Sequence, residues 1–215
     1  MKKYLFLAVN ALLSGIFIGI AGTVYLAVPN PLLGAFLFGF GLLTIVCYGF
    51  KLYTGAIGYL ALQPLRQLTE YLVTLSIIYL GNLAGTFAVG TLVRQTRTAP
   101  GLIARAEQLC QLKLQDSMLS LLILGFFCGI LMYLAVETYR RREELAPLFR
   151  FAMVILCVAV FILCGFEHCI ANMYYFSAAG VWSAHAWAAL LVMTLGNSLG
   201  GMFLALLERY RRSEA

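Results

Sequence analysis

Apolar residues in this chain come in runs long enough to cross a bilayer. A helical span takes about 20 of them, and runs of that order lie at residues 4–28, 32–50, 72–93, 118–136, 151–166 and 187–207. The first follows Met1-Lys2-Lys3 and leads, after Pro29-Asn30-Pro31, straight into the second. It is too long for the apolar core of a secretory signal and is read as a first transmembrane helix. The pattern predicts an all-α integral membrane protein with six spans in a single transmembrane domain, residues 1–215.

Two spans do not end cleanly. The second runs into Lys51-Leu52-Tyr53-Thr54-Gly55 and resumes as a short apolar piece at 56–62. The fifth runs into Glu167-His168-Cys169-Ile170-Ala171-Asn172 and resumes at 173–179. Neither piece is long enough to cross alone, so both read as second halves of broken helices.

The breaks are related. Gly49-Phe50 opens one and Gly165-Phe166 the other, 116 positions apart. Gly81-Asn82-Leu83-Ala84-Gly85 in the third span answers Gly196-Asn197-Ser198-Leu199-Gly200 in the sixth, 115 positions apart. Repeats of about 1–95 and 115–211, each with three spans, must enter the membrane from opposite sides. Broken helices at matching positions of an inverted repeat point to a substrate site near the midplane.

Composition agrees: 62% of residues are hydrophobic and 11% charged, too little polar surface to cover a soluble core of this size. The net charge of +6 does not point to nucleic acid, because the cations sit at the ends of apolar runs. Lys2, Lys3, Arg66, Arg140, Arg141, Arg142, Arg150, Arg209, Arg211 and Arg212 fall on one side. Arg94, Arg97, Arg105 and Lys113 fall on the other, leaving Lys51 at a break. The excess places both termini in the cytoplasm. The six cysteines include no Cys-x-x-Cys pair and suggest neither a disulfide framework nor a metal site, and no cofactor motif is present.

Main-chain groups freed at a break are tolerated in a membrane only where they are buried in protein or line a wet cavity. Both breaks should therefore face one pathway, with Leu52 and His168 close across the pseudo-two-fold axis. His168, an ionisable group at mid-membrane, is the leading pore candidate; the plainer alternative is a histidine that only steadies its loop. Burial should keep its resting ring neutral until an anion favours protonation. Glu167 reads as a structural carboxylate capping loop amides, and Lys51 as either a snorkelling cation or the partner of that acid. Lys113 stands equally as an interfacial lysine or as a fixed charge that gathers anions at the outer mouth. Phe38, Leu42 and Phe161, on faces leading into the breaks, are candidate constrictions. Asn82 and Asn197 either bridge helices or donate to a passing anion.

The run Gly165-Phe166-Glu167-His168-Cys169-Ile170-Ala171-Asn172-Met173, the segment Leu52-Tyr53-Thr54-Gly55 and the two Gly-Asn-x-x-Gly motifs resemble one family, the formate/nitrite transporters. The resemblance implies an aquaporin-like fold and a homopentamer with one pore per protomer. It makes His168 the central pore histidine and Thr54 its partner. Phe38, Leu42, Leu52 and Phe161 become the apolar constrictions, Lys113 the vestibule lysine, and Asn172 and Asn197 polar positions near the site. Many members carry an acid where this chain has Lys51, which leaves substrate preference open.

The expected function is transport of a small monovalent anion of a weak acid, formate or nitrite first, together with a proton. Hydrosulfide, lactate or acetate are alternatives within the family. Two other readings are an intramembrane enzyme using Glu167 and His168, which lacks an accompanying nucleophile, metal cluster or cofactor motif, and a pore for a neutral solute.

Overall fold

The computed structural model describes residues 2–213, and the described residues form helices and short connections without strands. The chain runs through α1 (Lys2–Ala27), α2 (Pro31–Tyr48), α3 (Tyr53–Ala56), two 3-10 turns (Ile57–Leu62 and Leu65–Gln67) and α4 (Leu68–Val93). It continues through α5 (Ala99–Gln115), α6 (Met118–Arg141), α7 (Pro147–Leu163), α8 (Cys169–Ala179) and α9 (Ala184–Ser213). Five helices (α1, α2, α4, α6 and α9) are apolar and 18 residues or longer, and the 17-residue α7 is a sixth apolar helix. Large apolar side chains such as Leu5, Phe6, Leu80, Leu119 and Leu191 face outward, as a bilayer solvent permits and water does not. The chain is a multi-pass membrane protein.

Local chemistry sets the two broken helices. Asn30 caps α2, accepting a hydrogen bond from the Leu33 amide at 3.0 Å, and proline stands at the start of both α2 and α7. At about 1.5 Å rise per residue, the 18-residue α2 and the 17-residue α7 cover about 27 and about 25 Å, a little short of a hydrocarbon core of about 30 Å. The rest of each crossing falls to the segment after the break. Gly49 ends α2 at φ 71°, and Gly165 follows α7 at φ 68°. Neither would meet an atom within 4 Å if it carried a Cβ, so glycine is required there by its left-handed backbone and not by space. Both second halves start earlier than the apolar pieces suggest, at Tyr53 and Cys169, because the polar break residues already belong to the first turn.

The repeat is visible in packing. Helix α1 lies against α4 through Gly15 and Gly85, and α6 lies against α9 through Gly129 and Gly200. A Cβ on Gly15 would strike the Asn82 carbonyl, and one on Gly129 the Asn197 carbonyl. Every residue of α8 is buried, so the second break and its short helix form the centre of the bundle. Helix α5 lies outside the six apolar runs, and within it the sequence singled out only Lys113 as candidate chemistry. It packs against α8 and α1 and carries Lys113 in its last turn.

Candidate functional site

The two breaks meet. Thr54, in the first turn of α3, and His168, the residue before α8, are 0% and 2% exposed, with Thr54 Oγ1 2.8 Å from His168 Nε2. The other ring nitrogen, Nδ1, accepts the Ala171 amide hydrogen at 3.0 Å and so caps α8. A nitrogen that accepts cannot carry the proton, so the neutral ring holds its hydrogen on Nε2 and donates it to the threonine oxygen. The ring stacks on Phe161 at 5.4 Å, and Phe161 meets the edge of Phe38 at 5.9 Å. Phe38, Leu42, Leu52 and Phe161 are all buried in one apolar cluster.

Each break is braced by an asparagine from the facing long helix. Asn82 Oδ1 accepts the Tyr53 amide at 2.9 Å, and its Nδ2 donates to the carbonyls of Lys51 (2.9 Å) and Ala11 (2.8 Å). Asn197 Oδ1 accepts the Cys169 amide at 2.9 Å, and its Nδ2 donates to the carbonyls of Glu167 (2.7 Å) and Gly125 (2.8 Å). These bonds satisfy main-chain groups that lipid would leave unpaired. They match one of the two roles weighed for Asn82 and Asn197, the bridging of helices: the amide hydrogens of both go to carbonyls.

A correction concerns Glu167. It was expected to cap loop amides, but those amides are held by Asn82, Asn197 and His168. Its Oε2 instead accepts from Lys113 Nζ at 2.6 Å and from Asn172 Nδ2 at 2.7 Å. Lys113, reaching in from α5, takes the acidic partner that Lys51 was offered. Lys51 forms no salt bridge among the described residues; its main chain is fixed by Asn82 and by its amide bond to the Asn10 carbonyl at 3.3 Å. Asn172 has its Nδ2 turned to the carboxylate and leaves Oδ1 without a protein partner.

A cavity of about 80 Å³ lies on the α5 side of the second break. Tyr25, Lys113, Phe161, His168, Asn172 and Tyr175 border it. It brings the lysine, the asparagine and the histidine to one small space, while Phe38, Leu42 and Leu52 belong to the apolar cluster and not to its lining. Tyr25 and Tyr175 were missed. The sequence carried one signal for Tyr175, its place three residues after Asn172 on the same helix face; nothing in the sequence singles out Tyr25. No group of three or more metal-ligating side chains occurs among the described residues.

The model of the formate/nitrite transporter family matches residues 2–210. The chain belongs to that family. It is therefore a transport protein, and the enzymatic reading of Glu167 and His168 is set aside. The chain is similar to the formate channel FocA of Haemophilus influenzae, 26% identical over 73% of this chain, a match spanning 56% of that relative. Two transporters of Bacillus subtilis described as uncharacterized are each 28% identical to it. The match to YwcJ covers 91% of this chain and 84% of the relative. The match to YrhG covers 80% and 68%. A solved structure described as a pentameric formate channel with formate bound superposes with a TM-score of 0.85 at 27% identity, covering 100% of this chain and 99% of that one.

Proposed function

We propose that this transporter is a channel for small monovalent anions of weak acids, with formate or nitrite as first cargo. On this reading it works as a homopentamer with one pore per protomer, and both termini lie in the cytoplasm. Two relatives named for formate, one of them pentameric, support the substrate class and the assembly. The observation that carries the reading is the position of His168, which borders one small cavity with Lys113 and stacks on Phe161 of the buried apolar cluster.

A bare anion entering that cluster loses its hydration at a cost of several kcal/mol, and a neutral acid loses far less. Lys113 draws the anion into the cavity. At the break the anion exchanges for Thr54 as acceptor of the Nε2 hydrogen, and a proton from the aqueous side completes the neutral acid. The acid crosses past Phe161, Phe38, Leu42 and Leu52 and releases its proton at the far mouth, so one proton moves with each anion. Anion uptake into proteoliposomes tests the class: rapid formate or nitrite entry supports it, and folded pentamer that passes no small anion refutes it. Liposome swelling in the same preparation measures water conduction and addresses the neutral-solute reading.

A further inference from the structure

Two tyrosine hydroxyls at the cavity have no protein partner. Tyr25, in the last turns of α1, and Tyr175, on α8, both border it, with ring centroids 6.5 Å apart. Neither hydroxyl forms a hydrogen bond among the described residues. Tyr53, Tyr59, Tyr71, Tyr79 and Tyr174 each do, to Ser198, Glu137, the Ala56 carbonyl, Thr194 and Thr23 respectively. The contrast is sharpest between neighbours: Tyr174 is locked at 2.6 Å to Thr23 on α1, while Tyr175 is 6% exposed with its hydroxyl unclaimed. A tyrosine hydroxyl inside a protein usually finds a partner, and these two, at one small cavity, are free to bond a molecule that enters it.

Most of the other polar bonding capacity there is engaged, save the Asn172 Oδ1 acceptor and two of the three Lys113 ammonium hydrogens. The Lys113 ammonium is bonded to Glu167, the Asn172 amide donates to the same carboxylate, and both His168 nitrogens are occupied. That leaves the two phenols as the cavity's unused O–H donors, and the volume of about 80 Å³ suits an anion of three heavy atoms.

Resting on the anion reading above, we propose that Tyr25 and Tyr175 form a selection site for small oxyanions, a carboxylate or nitrite, in the vestibule before His168. Each phenol donates one hydrogen bond to an anion oxygen. Oxygen accepts such a bond far better than sulfur does, so the pair favours oxyanions over hydrosulfide. Being neutral, the phenols add to the holding of the anion without adding charge.

The test is the concentration dependence of formate flux through reconstituted pentamer carrying Tyr25→Phe, Tyr175→Phe or both, beside wild type and Tyr174→Phe. Phenylalanine keeps the ring and removes only the hydroxyl. A net hydrogen bond of ordinary strength predicts a half-saturating formate concentration raised about fivefold per hydroxyl. The maximal flux should stay within about twofold, and the ratio of hydrosulfide to formate flux at low concentration should rise. Tyr174→Phe, which loses only its Thr23 bond, should leave that half-saturation unchanged. A double variant with unaltered formate half-saturation, or with an unchanged flux ratio, overturns the selection site while the anion-channel reading stands. Wild-type pentamer that passes no small anion overturns both.

Discussion

Thr54 Oγ1 and His168 Nε2 stand 2.8 Å apart, a hydrogen bond that joins the two helix breaks across 114 positions of sequence. Because Nδ1 is occupied by the Ala171 amide, Thr54 is the ring's acceptor in the resting protein. Replacing it by Val leaves a buried N–H unpaired, at about 1–3 kcal/mol. Thr54→Val is expected to lower the apparent unfolding midpoint of the detergent-solubilised protein by several degrees and to slow flux. Thr54→Ser, which keeps the oxygen, should restore most of both. Equal loss in the two variants would mean that packing by the threonine methyl, and not its hydroxyl, is what the site needs.

The asparagine braces make a symmetric prediction. Asn82→Ala and Asn197→Ala each remove three hydrogen bonds and leave a main-chain amide and two carbonyls without that partner. At about 1 kcal/mol per bond, with more for groups left buried and unpaired, each variant should lose about 3 kcal/mol or more. Size-exclusion recovery and thermal unfolding should show similar losses for both. One brace found dispensable would show that the breaks are not equivalent in stability.

The salt bridge between Lys113 and Glu167 separates stability from function. Lys113→Met strands a nearly buried carboxylate, which costs about 3–5 kcal/mol, whereas adding Glu167→Gln removes the stranded charge. The double variant should therefore unfold later than Lys113→Met alone, with a coupling energy readable from the four-protein cycle. Formate flux at low ionic strength should not recover with it, because the gathering charge is gone. Recovery of flux would assign Lys113 a purely structural role.

Helix approach gives a prediction with an internal control. A Cβ on Gly129 meets the backbone of Asn197, which cannot yield without moving α6 from α9, while Gly101 on α5 has open space around it. Gly129→Ala should abolish recovery of folded protein. Gly101→Ala should be neutral or stabilising by up to about 1 kcal/mol. Normal recovery of Gly129→Ala would show the α6–α9 contact to be looser than described.

Much of this architecture was legible in the sequence, for physical reasons particular to membranes. Helix α9 was anticipated from its apolar run, because lipid tolerates almost no polar residue facing it and the signal is strong. Gly49 and Gly165 marked both breaks, since a left-handed residue is almost the only way to end these helices there. Helix α5 escaped because Arg105, Glu107 and Lys113 interrupt its apolar residues along the sequence, leaving no span-like run. With α5 unseen, the pairing of Lys113 with Glu167, 54 residues away, had no route into the reading. Asn197 was found by its repeat, but a symmetric position does not reveal what each amide hydrogen meets; only its neighbours Gly125 and Glu167 do.

The measurement that bears most directly on the account is formate flux into proteoliposomes at two pH values, comparing wild type with His168→Ala in protein shown to be assembled. If His168 helps a proton join the anion before the apolar cluster, wild-type flux should be faster with the acidic solution on the donor side. His168→Ala should lose that dependence together with most of the flux. His168→Ala carrying formate at the wild-type rate, with the same pH dependence, would contradict the account.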